Sequence, residues 1–534
     1  MTTKDAINYS INNVISEGLT DIFDKPFEIG LLEKEAFRDK VYREAKSTID
    51  SSTSDDSVSA NTSLQELKVH PINYVLYPKK EAFDFRKCAL IDPLDTIKYS
   101  ALVLILASEI EKARINKTAK RVFSYRFKVE EEGKYVFDKS YTFTSFNDYV
   151  AENIKKPEIS VLAKCDVSNF YDRLNIHRLE SILLSITKKN QNTVKAINEL
   201  LLFWANRDSY GLPVGSNPSR ILAEAALIDV DKFLLSHNID YCRYVDDFRI
   251  FAPNAKTAHY WLSLLVERLS IEGLFINQSK TLIEDVSDKE KFVITLAERT
   301  VQKAEKKKER RIIRSGYSGT IPTKFRNPSE HEIQRIKEST IDITNEIENA
   351  KIIKPDDFKE YCKQILYKEM FEKFRNLSNI LEKFPQFTPY VVDLLIKHSD
   401  AIPKEIKTYL KNQLCKWLTD DKYLPEYIGT HLVKLLAVDG YKDTEVLFNY
   451  FRSLRRNAGS YIGRATLESL EKSIQRNQAL EIRQYYNRAD VWEKRQIARI
   501  IDIHLHKEEK NAWFKNLKMN ESSDIFLMGI IGNK

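Results

Sequence analysis

The chain has 534 residues, 43% hydrophobic and 30% charged, with a net charge of +7; at about 150 residues per domain this is room for roughly three or four domains and more than one apolar core. The aliphatic content excludes a disordered chain, the longest apolar run (Ala101 to Ala107) is far short of the ~18 residues of a membrane span, and the start MTTKDAINYSINN lacks the basic-then-apolar pattern of a secretory signal. Five dispersed cysteines (Cys88, Cys165, Cys242, Cys362, Cys415) with no C-x-x-C pair argue against a disulfide scaffold or zinc finger and predict a reducing, cytoplasmic setting without a membrane.

An N-terminal extension of about 70 residues ends in a Ser/Thr/Asp-rich stretch, 47–64, that reads as an exposed loop. In YPKKEAFDFRK, Lys79, Lys80 and Arg86 offer cations to phosphates, although each alone reads as a surface charge. From about 85 to 300, short β-like runs alternate with amphipathic helical stretches: ISVLAKCD (159–166), the helical 171–186, then IDYCRYVDDFRIFAP (239–253). That alternation predicts an α/β or α+β core within residues 1–300. The window 301–327 holds nine basic residues against Glu305 and Glu309, which is the whole excess of +7. With its Gly and Pro residues, the segment 301–329 reads as a basic connector: either a solvated linker or an electrostatic footprint for nucleic-acid phosphates. Residues 330–534 keep helical spacing and predict an all-α domain compatible with a solenoid-like array.

The sharpest local signal is Tyr244-Val245-Asp246-Asp247 between two β-formers, a hairpin that would carry Asp246 at its tip. Alone it reads as a turn. Upstream, Asp166 ends the strand-like Val-Leu-Ala-Lys-Cys-Asp, in which period two puts Leu162, Lys164 and Asp166 on one face. Asp166 is also suited to capping the helix after it. If the two segments are neighbours, three carboxylates converge, and such a set binds two Mg²⁺ ions ~3.5–4 Å apart for nucleotidyl transfer; Mn²⁺ can substitute.

Three further segments follow in the order this chemistry needs, and YPKKEAFDFRK precedes them. Phe170-Tyr171 sets a ring where it would press on a nucleotide sugar, or simply opens a helix as a buried aromatic. The loop Gly211-Leu212-Pro213-Val214-Gly215-Ser216 lets backbone approach a substrate closely, with Gly215 at its end. Gly273-Leu274, Asn277 and Lys280-Thr281 follow the hairpin and offer a cation near a triphosphate.

The ordered set Asp166…Phe170-Tyr171, GLPVG…SRILAE, YVDD and GLxxNxxKT resembles motifs A to D of reverse transcriptases, over roughly residues 70–290. The form GLPVGSNPSRILAE, with VFSYR (122–126) upstream and a helical C-terminal part, looks like the abortive-infection (Abi) polymerases, most like the type carried by P2-like prophages. The resemblance implies a fingers-and-palm core joined to a HEAT-like helical domain, a homo-oligomer with a trimer as the expected size, and dNTPs as substrates. It further implies template-independent, protein-primed DNA synthesis in anti-phage defence, the product covalently attached to the protein. Carried over by position, Asp166, Asp246 and Asp247 are the catalytic, metal-binding acids. Tyr171 discriminates the sugar, and Arg86, with Lys79, Gly215 and Lys280, serves the nucleotide. Val214 stands where many templated enzymes carry Gln, which fits a site with looser demands on a template. Tyr9 and Tyr42 are candidate primers among 26 tyrosines.

Three readings stand open at this point: that template-independent polymerase first, a templated defence reverse transcriptase copying a bound non-coding RNA second, and a non-enzymatic scaffold third.

Overall fold

The computed structural model describes residues 1–532 except 21–22, 55–59, 80–84, 131, 289–322, 340–341, 421–423 and 455–459. Lys80 and most of the basic window therefore lie outside the described residues. The chain divides into two compact units, Met1–Ile72 with Ala89–Gly316, and Asn73–Cys88 with Tyr317–Lys534. The first is a mixed α+β region and the second is largely α-helical.

In the first unit the helix Pro93–Ala113 is buried on every side from Pro93 to Ala107, Asp95 and Lys98 included. Asp92 caps it by accepting from the Leu94 N–H at 2.9 Å, with Pro93 in the first turn. No described helix is long and apolar enough to cross a membrane. Much of the stretch 47–64 is helical rather than loop: Glu35–Ser52 runs into it and Ala60–Leu67 closes it. The hydroxyls that suggested a loop bond back to the helix instead, Thr48 Oγ1 to the Glu44 carbonyl at 2.9 Å and Ser52 Oγ to that of Ile49 at 2.9 Å, while Val41, Ala45 and Ile49 supply the buried face.

The strands are β1 (Asn73–Pro78), β2 (Phe85–Leu90), β3 (Val161–Asp166), β4 (Tyr241–Tyr244), β5 (Asp247–Ala252) and β6 (Leu282–Asp285). β1 and β2 pair as a two-stranded sheet, and the other four form an antiparallel sheet in the order β4-β5-β3-β6. The register sets Leu162 opposite Phe251, Lys164 opposite Arg249 and Asp166 opposite Asp247. Period two then separates the faces: Leu162, Phe251 and Cys242 meet Phe146 and Ile154 of the helix Phe143–Ile154, whereas Val161 and Ala252 meet Ala258 of the helix Ala255–Ile271. The predicted helix 171–186 is broken. Phe170–Arg173 is one turn, Leu174 is extended, and Asn175 restarts the chain as an N-cap whose side chain accepts from the Arg178 N–H at 3.0 Å.

In the second unit the helices Thr388–Lys397, Glu426–Leu435, Ile462–Leu470, Val491–His504 and Ile525–Ile531 pack in series, each on the next. Phe358 stacks on Phe387 with centroids 4.3 Å apart. The β1 strand belongs to this unit through Tyr77, which packs against Tyr427 and His431, and through Asn73, whose amide donates to Asp490 Oδ2 at 3.1 Å. All five cysteines are buried thiols outside any disulfide.

Phe248, wholly buried as the second residue of β5, should be a stability anchor of the first unit. Phe248→Ala is expected to lower the unfolding free energy by about 3–5 kcal/mol, measured by urea denaturation; a loss below about 1 kcal/mol would place the ring outside a packed core.

Candidate active site

Three acids reach one edge of the four-stranded sheet because two strand ends and a tight turn coincide there. β3 stops at Asp166 and β5 starts at its register partner Asp247. The turn between β4 and β5 consists of Val245 and Asp246, closed by the pair Tyr244 and Asp247. The Val167 N–H donates to the Asp246 carbonyl at 3.3 Å, so the turn is bonded to the chain leaving β3. Asp166, Asp246 and Asp247 are thus neighbours, as the motif order predicts.

The electrostatics follow from this crowding. Asp246 is pushed from its ordinary 3.8 up to about 7, by loss of solvent first and by the charges of Asp166 and Asp247 second. Asp247 is raised as well, by burial, against which the Arg249 guanidinium pulls from 3.5 Å. Lys280, at the end of the 3₁₀ turn Gln278–Lys280, donates to Asp166 Oδ2 at 3.0 Å. The Asn277 N–H fixes that turn by donating to the Asp166 carbonyl at 2.7 Å. Lys280 is therefore brought to the acids. Arg249 is an addition that the motifs do not signal, although its place two residues beyond Asp247 puts it on the same strand face.

Tyr171 is buried and meets Phe170 edge-on at 5.5 Å. Its carbonyl accepts the Leu212 N–H at 3.0 Å and the Leu174 carbonyl accepts that of Gly211 at 3.0 Å, so the Gly/Pro loop is bonded directly to the segment after Asp166. Gly215 is buried with φ +115, a conformation closed to side-chain-bearing residues in practice, just before the helix Asn217–Ala226. Lys79 and Arg86 stand in the other unit, beside β1 and on β2.

Among the described residues, the group of three whose ligand atoms all lie within 4.8 Å of one another is a different one, His70, Asp92 and Asp95. It is able to coordinate a metal ion. Its side chains also have structural work: Asp95 Oδ2 accepts from His70 at Nδ1 (2.9 Å) and at its backbone N–H (2.7 Å), Asp95 Oδ1 faces the Lys98 ammonium at 3.8 Å, and Asp92 is the helix cap. Asp92-Pro93 announces a helix start, but nothing in the sequence announces His70 as its neighbour.

With this geometry in hand, residues 97–306 match the family model described as "Reverse transcriptase (RNA-dependent DNA polymerase)". A reverse-transcriptase-like nucleotidyltransferase domain is present. No curated protein matches the chain. Solved structures similar to it include apo telomerase from Candida tropicalis, at 12% identity over 67% of this chain and 70% of that one with a TM-score of 0.29. Two more are telomerases in complex with a TWJ fragment of telomeric RNA: that of Candida albicans, at 13% identity, 74% and 66% coverage and TM-score 0.28, and that of Candida tropicalis, at 12%, 84% and 64%, and 0.30. Against these last two the chain spans about two thirds of their length.

These findings correct the first expectation. What residues 97–306 are similar to is an RNA-dependent DNA polymerase, not a template-independent, protein-primed enzyme. The candidate primer Tyr9 fits the correction: it is buried, and its hydroxyl donates to the Tyr135 carbonyl at 2.6 Å and accepts the Glu130 N–H at 3.1 Å. Tyr42 lies half-buried in the helix Glu35–Ser52.

The raised Asp246 sets a sign for stability against pH. In the unfolded chain this carboxyl loses its proton near 3.8, whereas in the folded chain it keeps it to about 7. The folded state therefore binds more protons in between, and stability falls as pH rises through that window. In a chelator-containing buffer, Asp246→Asn is expected to melt at progressively higher temperature than wild type as pH goes from 4 to 7, with a constant gap above. A gap that does not change with pH would mean that the side chain is not crowded by other carboxylates.

Proposed function

We propose that the chain is an RNA-templated DNA polymerase that extends a nucleic-acid 3′ end with dNTPs. The observation that carries this reading is the meeting of Asp166 with the Asp246-Asp247 turn across β3 and β5, inside the segment that matches the reverse-transcriptase model. Three hard carboxylates with one of them pushed up to about 7 fit a divalent cation, whose charge would relieve that crowding. Asp166, Asp246 and Asp247 are the residues that would hold it. When bound, Mg²⁺ (or Mn²⁺) supplies charge neutralisation at the triphosphate and a lower pKa for the attacking hydroxyl.

The chain's own residues supply the rest. Lys280 already pairs with Asp166, and in this reading its ammonium exchanges that partner for the incoming triphosphate. The loop at Gly215 has no Cβ to hold a substrate away from its backbone. Tyr171 closes the floor under the sugar, and its ring leaves no space for a 2′-hydroxyl. The primer hydroxyl must lie in line with the α-phosphate, within roughly 3–3.5 Å, and a nucleic-acid 3′ end supplies it here. Lys79 and Arg86, in the second unit, are outside this reading. The narrower proposal, a bacterial defence enzyme that copies a bound non-coding RNA and carries a HEAT-like domain, is supported by the GLPVGSNPSRILAE and VFSYR segments and by the serial helix packing of the second unit.

Two outcomes test the site. With an RNA template, a DNA primer and Mg²⁺, wild-type protein is expected to make DNA complementary to the template that separates from the protein on denaturation. The Asp246→Asn/Asp247→Asn double variant should lose this activity by about 10²–10³-fold or more while remaining folded; retained synthesis in that variant removes the assignment. For the sugar, Tyr171→Ala is expected to raise incorporation of rNTPs relative to dNTPs by about tenfold or more, while Tyr171→Phe keeps the wild-type ratio. An unchanged ratio in folded Tyr171→Ala would make the ring a core residue only.

A further inference from the structure

Val245 is a β-branched residue with φ +58, and it is the first of the two turn residues. Asp246, the second, is not among the positive-φ residues. This is the pattern of a type II′ hairpin, in which the first central position normally belongs to glycine. Valine's Cβ crowds the backbone there, and such strain persists only where the surroundings over-determine it.

The surroundings act on both polar groups of the residue. The Val245 N–H donates to Ser124 Oγ at 2.8 Å, and its carbonyl accepts from Arg243 Nη1 at 3.1 Å. Neither partner can drift. Ser124 Oγ donates onward to Glu224 Oε1. Glu224 Oε2 accepts from Arg114 Nη2 at 2.7 Å and pairs with Arg243 Nη1 at 2.9 Å. Asp231 grips Arg243 with both oxygens, Oδ1 on Nε at 2.8 Å and Oδ2 on Nη2 at 2.7 Å. Arg114 comes back to the same place by donating to the Ser124 carbonyl at 2.8 Å. The four charged side chains are at most 1% exposed, two of each sign.

A buried ion network is a poor source of stability, since an apolar replacement of equal volume is often as good or better. An apolar core cannot, however, hold one N–H and one C=O at fixed points. The two motifs left without a role, VFSYR and SRILAE, supply Ser124 and Glu224, and the Val122–Arg243 bridge lays the first of them along β4. We propose that this network is a clamp that holds Val245 in its left-handed conformation and thereby aims the Asp246 carboxylate. Its members are positioning residues. The consequence for catalysis rests on the polymerase reading of Asp246, whereas the clamp itself does not.

Ser124→Ala is the smallest cut, because it removes the acceptor for the Val245 N–H and leaves every ion pair. Val245→Gly removes the strain that the clamp opposes. The test compares wild type, each single variant and the double variant. Ser124→Ala is expected to lower Tm by no more than about 6 °C. It should speed hydrogen exchange in peptides covering residues 243–248 of the metal-free protein. It should also lower kcat for RNA-templated synthesis by about ten- to a hundredfold, with KM for dNTP within about threefold. In the Val245→Gly background the same substitution should cost no more than about threefold in kcat, since glycine needs no clamp. Unchanged exchange in Ser124→Ala, or an equal loss of kcat in both backgrounds, overturns the proposal. If wild type shows no RNA-templated synthesis, the polymerase reading fails, and the exchange measurement alone decides the clamp.

Discussion

Antiparallel pairing of β3 with β5, in the register that faces Asp166 with Asp247, is the constraint on which the site depends. The same register faces Leu162 with Phe251, four residues further from the edge, inside the apolar cluster under the helix Phe143–Ile154. Side chains alternate along a strand, so a slip of one residue would turn that cluster to the wrong face as well as separate the acids. The core and the carboxylates are therefore held by one choice. Burial of Leu162 and Phe251, which is favourable for its own reasons, enforces a juxtaposition of like charges that is unfavourable for its own reasons.

The contrast between two groups of charges makes this plain. Beneath the turn, Arg114 and Arg243 are matched by Glu224 and Asp231 within hydrogen-bond distance. At the sheet edge three carboxylates share Lys280 and a longer contact to Arg249. Charge is balanced beneath the turn and left in deficit beside Asp246, where the proposed reading puts a cation. Functional sites commonly sacrifice stability in this way.

Much of this was legible because it is local. A two-residue turn between β-formers, and a strand ending in Asp, follow from period two and turn chemistry, and the structure places both as those rules require. What was missed depends on tertiary context. The hydroxyl-rich 47–64 stretch is half helix because an apolar face could be buried there. The break at Leu174 comes with the bonds that Gly211 and Leu212 make to the preceding turn, which no helical spacing reveals. Val214 misled most: read as fitting a site with looser demands on a template, it is 4% exposed, and its carbonyl accepts the Ala89 N–H at 3.2 Å. Its side chain answers to the core, so its chemistry carried no information about templates. The convergence of Ser124, Glu224 and Arg243 on one turn could not be read at all, because Ser124 lies a hundred residues or more from each of the other two.

The strand β1 has one further implication, for the order in which the chain is made. Tyr77 and Asn73 belong to a unit whose other members, Tyr427, His431 and Asp490, emerge from the ribosome hundreds of residues later. Domains usually close in sequence as they are synthesised, but this segment must wait, with its aromatic surface uncovered, while the first unit forms on both sides of it. A nascent chain halted anywhere before Glu426 leaves β1 without these partners, the kind of edge that recruits other chains. A gene cut at the boundary between the units would separate that strand from the partners that shelter it.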